Sequence, residues 1–343
     1  MKLIPKQSFG VSSSQYMFKK KHELKEVKEY SKLFSEVRNE ISKVVVGQEK
    51  VIDGLLRALV SRGHVIVEGV PGIAKTLVIM TLASTTGCKF SRIQFTVDLL
   101  PTDIVGITTY DKNKGFATVK GPIFSNFVIA DEINRAGPRT QAALLEAMQE
   151  GKVTIGKNTY ELEKPFFVMA TQNPIESEGV FRLPEAQIDR FLFKLNMIYP
   201  ERHEEKAILN QNITLKDFDD YILKKILSPK KIIEIQNFVH KIYLSKDIED
   251  YIVSIVKASR EKNKLKSGKY IEYGASPRAS IGLFIASKAD ALLRGNSYAT
   301  PQNVKNVAYE VLRHRILLNY EGQAENVKTD DITKEILATV PIP

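Results

Sequence analysis

The chain has 343 residues, a formal charge of +10, 43% hydrophobic and 26% charged residues, and one cysteine. That length accommodates two domains of ordinary size, each with its own core, and the composition is ordinary for a soluble globular protein. A lone Cys88 excludes an internal disulfide and a cysteine-built zinc site, and reads as a small buried apolar residue. No apolar run approaches the roughly 18 residues of a membrane span. The start, MKLIPKQSFGVSSSQYMFKKKHE, lacks the apolar region of a secretion signal. A cytoplasmic protein without membrane insertion is expected.

The basic balance invites a nucleic-acid hypothesis, because clustered Lys and Arg supply most non-specific affinity for phosphate backbones. Part of the excess is local, since residues 1–36 hold eight Lys and four Glu. The rest is spread thinly, as on a solvated surface. Residues 1–18 are rich in Ser, Gln and Gly and lack periodicity, so residues 1–30 form an N-terminal extension that is a candidate for disorder. From about residue 30 an amphipathic stretch runs through Leu33, Phe34, Val37 and Ile41, and Val44, Val45 and Val46 then lead to Gly47. A second helix carries Val51, Leu55, Leu56 and Leu59 at helical spacing.

A short apolar run, His64-Val65-Ile66-Val67, ends directly at Gly69, as a buried parallel strand does. Similar runs recur at Ile93-Gln94-Phe95, Phe127–Ala130, Phe166–Ala170 and Phe191–Leu195. Five strands separated by helices predict an open α/β sheet with ligands at the carboxyl ends of its strands. Residues 105–121 and 152–164 each alternate around a turn and read as inserted β-hairpins. After Pro200 the pattern is helical, with stripes at Ile232, Ile235, Phe238, Val239 and Ile242 and at Ile248, Tyr251, Ile252, Ile255 and Val256. Ser276-Pro277 and Thr300-Pro301 each place a capping hydroxyl before a proline at the first helical position. The domains expected are therefore an α/β core over 31–199 and a smaller helical domain over 200–343.

Residues 69–76, GVPGIAKT, sit between the first strand and the helix opening at Thr76. The unpaired amides and dipole of a helix N-terminus attract anions, so this turn can cradle phosphates. Gly69 and Gly72 would let the backbone approach the ligand, Lys75 would reach the β- and γ-phosphates, and Thr76 would ligate Mg²⁺. Ala74 stands where the general G-x-x-x-x-G-K-[ST] pattern has glycine. Alone, the stretch also reads as a strand-to-helix turn with a surface lysine. Its companion is Phe127-Val128-Ile129-Ala130-Asp131-Glu132, four apolar residues and two acids at a strand end. Asp131 can hold the metal ion there, and Glu132 can act as the base that polarises a water. Another strand ends in Ala170-Thr171-Gln172-Asn173-Pro174, where the Asn173 amide could orient that water or serve as a turn residue before proline.

The stretches GVPGIAKT, FVIADEINRAGPRTQAALLEAMQEG, FFVMATQNPIESEGVFRLPEAQIDRF and GASPRA, in that order from residue 44 to about 282, resemble the MoxR family of AAA+ ATPases. The resemblance implies a P-loop sheet of order 5-1-4-3-2 flanked by helices, the two hairpins as inserts, and a helical lid. It implies ATP and Mg²⁺ as ligands, with Val46, Gly47, Gly69, Val70, Pro71, Gly72, Ile73, Ala74, Lys75, Thr76 and Leu77 around the nucleotide and Thr76 and Asp131 at the metal. Asn173 matches a sensor of the γ-phosphate, and Arg278 the lid arginine that reports nucleotide. Arg190 matches the arginine finger of a neighbouring subunit, with Arg182 and Arg139 as further interface candidates; an ion pair with Asp189 or another acid is the alternative for Arg190. Alanine in place of glycine at 74 implies a negative φ there. The family also implies a homo-hexameric ring and chaperone-like maturation of a partner carrying a von Willebrand factor A domain with a metal-ion-dependent adhesion site. A nucleic-acid motor and a metal-chelatase-type subunit are the alternatives. Nucleic acid is not the expected partner, because the hairpin lysines, Lys112, Lys114, Lys120, Lys152, Lys157 and Lys164, are interspersed with acids.

Overall fold

The computed structural model describes residues 13–112, 115–173, 181–210 and 218–343. Five strands form the central sheet: β1 (Val65–Glu68), β2 (Phe90–Gln94), β3 (Phe127–Asp131), β4 (Phe167–Gln172) and β5 (Phe193–Asn196). All are parallel and their order is 5-1-4-3-2, as expected. The period of two along a strand sorts their side chains cleanly. Val65, Val67, Phe127, Ile129, Phe167, Met169, Phe193 and Leu195 enter one core. Ile66, Val128, Ala130, Val168 and Ala170 enter a second core on the opposite face. Covering both faces is what makes β1, β3 and β4 near-continuous apolar runs.

The main helices are α1 (Ser13–Ile41), α2 (Glu49–Val60), α3 (Lys75–Ser84), α4 (Pro138–Glu150), α5 (Pro229–Val239), α6 (Lys246–Ala258), α7 (Pro277–Leu293), α8 (Pro301–Leu312) and α9 (Thr329–Thr339). The first core runs without a break from α1, α2 and α3 into α5 to α9. Helix α1 begins inside the segment expected as an extension over 1–30, and residues 1–12 of that segment lie outside the described residues. Its buried stripe is Val27, Tyr30, Phe34, Val37 and Ile41, a helical spacing that starts before residue 30. Tyr30 stacks edge-on against Phe238 at 5.2 Å, and Ser31 Oγ donates to the Leu293 carbonyl at 3.2 Å. The chain's first described helix is thereby fastened to its C-terminal helices.

Both hairpins form. Gly106–Asp111 pairs antiparallel with Gly115–Lys120, and Lys152–Ile155 with Asn158–Glu161. Residues 113 and 114 of the first turn lie outside the described residues. Gly156, at φ +61°, opens the two-residue turn of the second hairpin, where a left-handed first position favours glycine. The hairpins touch where Tyr160 Oη donates to Thr118 Oγ1 at 3.0 Å. Pro277 and Pro301 occupy first helical turns as expected. Neither hydroxyl accepts an amide of its helix: Thr300 Oγ1 donates to Asn303 Oδ1 at 2.7 Å, an oxygen that also accepts the Thr300 N–H at 2.8 Å, and Ser276 Oγ donates to Asp189 Oδ2 at 3.2 Å. Cys88 is buried, as its small apolar character predicts.

His64, immediately before β1, fastens the other end of the sheet. Its Nδ1 accepts the Val168 N–H at 3.0 Å, which puts the proton on Nε2, facing the Met148 carbonyl at 3.2 Å. Burial lowers its pKa to about 4. Unfolded chains therefore take the proton first, and the His64 contribution, complete above pH 6.5, is lost as pH falls towards 4, roughly 3 kcal/mol in all. His314, buried beside Arg315, is lowered too and has the same sign. Glu310, buried against Arg57, is raised to about 7. Its contribution has the opposite sign: complete below about pH 4.5, it is lost as pH rises through 7. Two histidines outweigh one carboxyl between pH 4.5 and 6.5, so urea midpoints should fall on acidification. His64→Gln should flatten that dependence by about 1.4 kcal/mol per pH unit; an undiminished slope would place the titration elsewhere.

Candidate active site

Four backbone segments meet at the carboxyl edge of the sheet. Strand β1 ends at Glu68 and the chain turns through 69–74 into α3. A Cβ on Gly69 would lie 2.5 Å from Ile73 Cδ1, which could turn aside, and 3.0 Å from the Met197 carbonyl oxygen, so glycine is the residue this close approach favours. At Gly72 the space is open and the φ of +81° is what favours glycine. Ala74 corrects an expectation: its φ is +62° and its ψ 33°, a left-handed conformation, at the N-cap of α3. Alanine is tolerated because this small region is sterically allowed for L residues, at a cost of about 1–2 kcal/mol. Ala74→Gly should therefore stabilise the fold by about 1 kcal/mol while ATP still binds. A lower denaturation midpoint in that variant would contradict the left-handed backbone.

The first amides of α3 lie beyond the reach of its own hydrogen-bond ladder, and face a cleft of about 310 Å³. Lys75 Nζ donates to the carbonyls of Gly69 and Val70 across the mouth of the loop. Thr76 Oγ1 donates to Asp131 Oδ2 at 3.0 Å, joining α3 to the end of β3. Thr171 on β4 donates to Asp131 Oδ1 at 2.6 Å and accepts the Glu132 N–H at 2.9 Å. One hydroxyl thus sets both acids. Glu132 is held at φ +55°, a strained position for a non-glycine residue. Its Oε2 accepts from Gln94 Nε2 at 3.0 Å and from Arg135 Nη1 at 3.2 Å. Buried Asn173 lines the same cleft, one residue past β4.

Sequence reasoning missed three of these groups. Arg92 and Gln94 lie two apart on β2 and so share a face; Arg92 Nη2 reaches Asp131 Oδ2 at 2.6 Å. The signal was available as a polar pair at strand spacing within FSRIQ, but the register β2 to β3, which sets Gln94 opposite Asp131, is not written in the sequence. Thr171 was passed over beside Asn173.

The residues fit a nucleoside triphosphate and a divalent ion. The loop amides and Lys75 offer positive charge to phosphate oxygens. Thr76 and Asp131 supply adjacent hard oxygen donors, the chemistry Mg²⁺ takes with the remaining positions left to water and phosphate. That division agrees with the absence, among the described residues, of any cluster of three or more His, Cys, Asp or Glu side chains able to hold a metal unaided. Val46 and Gly47 stand apart from the phosphate cleft, at the turn between α1 and α2. A Cβ on Gly47 would meet Glu204, and neighbouring Gln48 donates to the Ile198 carbonyl at 2.8 Å, so this turn is tied to the segment after β5.

Arg190 and Arg278 are not brought to the phosphate cleft. Both line a second cleft of about 270 Å³ with His64, Asp189 and Arg315, at the amino ends of β1 and β5. Arg190 Nη1 donates to the Leu145 carbonyl at 3.2 Å, and the alternative of an ion pair with Asp189 is not observed. Asp189 instead pairs with Arg315 at 2.7 Å and lies 3.8 Å from Arg278. Arg139 and Arg182 are exposed.

Residues 64–193 match the family described as ATPase family associated with various cellular activities (AAA), and residues 264–336 match the AAA lid domain. The chain is 44% identical to the Chaperone MoxR1 of Mycobacterium tuberculosis over 309 residues, covering 89% of this chain and 81% of that one. It is 42% identical to the uncharacterized protein YeaC of Bacillus subtilis over 304 residues, 88% and 92% of the two chains. A crystal structure from Cytophaga hutchinsonii superposes with a TM-score of 0.87 at 44% identity, covering 95% of this chain and 99% of that one.

Proposed function

We propose that this chain, which belongs to the MoxR family of AAA+ ATPases, hydrolyses ATP within a cytoplasmic homo-hexameric ring to remodel or mature protein partners. Membership of that family makes the chain an ATPase. The observation that supports the roles best is the bonding of Thr76 and Thr171 to the two oxygens of Asp131, which gathers the ends of β1, β3 and β4 at one point.

In this reading Lys75 and the loop from Gly69 to Leu77 hold the triphosphate, and Thr76 and Asp131 hold Mg²⁺, which when bound neutralises phosphate charge. Glu132 takes the proton of the attacking water. Its Oε2 accepts from Gln94 and Arg135, and its Oε1, to which no donor is seen among the described residues, is the oxygen left to take that proton. Asn173 orients that water beside the γ-phosphate. Arg190 serves the site of the adjacent subunit, and Arg278, in the same cleft, faces the same way. The separation of the two clefts supports this: β1 alone spans about 13 Å between them.

The client we propose is a protein with a von Willebrand factor A domain and its metal-ion-dependent adhesion site, a partner class that follows from the resemblance. The contact surface proposed is the first hairpin, where Tyr110 and Phe116 are 66% and 81% exposed and stack at 5.2 Å. Two exposed aromatic rings side by side offer an apolar face with the geometry that aromatic contacts favour, which suits capture of an apolar segment. A Glu132→Gln variant loaded with ATP should retain such a client, and Tyr110→Ala/Phe116→Ala should release it. Strong activation of turnover by single-stranded DNA, with no protein doing the same, would replace the chaperone reading by a nucleic-acid motor.

A further inference from the structure

We propose that Arg315, on the turn after α8, is a positioning residue for Arg190: it braces the Asp189–Leu192 segment so that Arg190 is presented to the neighbouring subunit in one fixed place. This rests on the trans role of Arg190 proposed above.

A guanidinium has five N–H donors, and all five of those on Arg315 are used. Nε donates to Asp189 Oδ1 at 2.7 Å. Nη1 donates to the carbonyls of Leu192 at 3.1 Å and Val311 at 2.6 Å. Nη2 donates to the carbonyls of Asp189 at 3.2 Å and Phe191 at 2.7 Å. Four of the five acceptors therefore belong to residues 189–192, and they flank Arg190 on both sides. Arg315 is only 7% exposed, so these are desolvated, charge-assisted bonds, the strong class. The second oxygen of Asp189 is taken by Ser276 Oγ, and the Phe191 carbonyl is also approached by His314 Nε2 at 3.1 Å.

The head group of Arg190 is held differently. It makes one hydrogen bond, to the Leu145 carbonyl, and among the described residues no carboxylate neutralises it. A fixed backbone under an unneutralised cation is the arrangement a group acting across an interface requires. Ser276, Arg278, His314 and Arg315, all from the helical part of the chain, converge on this segment, which the α/β core also holds through the Leu192 N–H to the His64 carbonyl at 2.8 Å. Positioning matters because a displacement of about 1 Å at a reacting centre costs on the order of 100-fold in rate.

Arg315→Lys keeps the charge opposite Asp189 and loses the fork. Its kcat should fall about 10- to 100-fold with the KM for ATP unchanged, because its own phosphate cleft is untouched. In the nucleotide-free protein, amide hydrogen exchange should quicken over residues 189–192 and stay unchanged in α3. Mixed with Glu132→Gln subunits, which carry an intact Arg190, Arg315→Lys subunits should regain turnover, as Arg190→Ala subunits should in a parallel mixture. Recovery for Arg190→Ala but not for Arg315→Lys would overturn the brace alone, and so would unchanged kcat in Arg315→Lys. Wild-type turnover in Arg190→Ala would overturn the trans reading and this inference with it. If Arg315→Lys does not fold, Asp189→Asn carries the same expectations through the same measurements.

Discussion

Arg190→Ala is expected to lower kcat for ATP roughly 10³- to 10⁵-fold, the range by which an arginine supplied to a developing phosphoryl charge accelerates its transfer. Binding of ATP should survive, because no atom of Arg190 lines the cleft formed by the loop, Arg92, Gln94, Asp131, Glu132 and Asn173. The cause is geometric. Arg190 precedes β5 and the phosphate loop follows β1, so adjacent strands of one parallel pair carry the two groups at opposite ends. On the trans role proposed for it, a residue so placed stabilises charge in another copy of the chain, and the ring we propose is the active unit. Mixing Arg190→Ala with Glu132→Gln subunits should restore a fraction of turnover, since each interface joining an intact Glu132 to an intact Arg190 is competent. Mixed rings without recovery would remove the trans assignment.

For Glu132→Gln the expected result is retained ATP affinity with turnover reduced about 10²- to 10⁴-fold, the usual worth of a general base. The substitution is nearly isosteric and leaves Lys75, Thr76 and Asp131 unaltered. What it removes is the proton acceptor we propose at the end of β3. The φ of +55° at residue 132 should persist, because it is imposed by the turn Ile133–Arg135 and by the bond from the Glu132 N–H to Thr171, neither of which depends on the carboxylate. Unchanged single-turnover hydrolysis in this variant would move the base elsewhere, with Asp131 the one other carboxylate among the described residues that line the cleft.

The sheet was legible because burial on both faces forces the strands to be apolar, and the chemistry was legible because each acid or hydroxyl directly follows such a run. GVPGIAKT after β1, Asp131-Glu132 at the end of β3 and Asn173 after β4 all have this form. Helix α1 was read only from residue 30, since residues 19–26 are almost all charged or polar and, of residues 23–29, Val27 is the one that is buried. The backbone at Ala74 was read with the wrong sign: sequence identity constrains φ for proline and weakly for glycine, whereas alanine is compatible with either sign until the turn around it is built.

Local pattern by itself determined the strands, their order through the family resemblance, and the residues able to bind phosphate and metal, because these depend on periodicity and on groups adjacent in the chain. Tertiary structure alone decided that Arg92 and Gln94 reach Asp131 and Glu132 from an edge strand. It alone decided, too, that Arg190 and Arg278 leave the phosphate cleft for the opposite end of the sheet, and that Arg315 holds the segment carrying Arg190. These are contacts between residues 38 to 126 positions apart; their existence follows from strand register and helix packing, which no local spacing encodes.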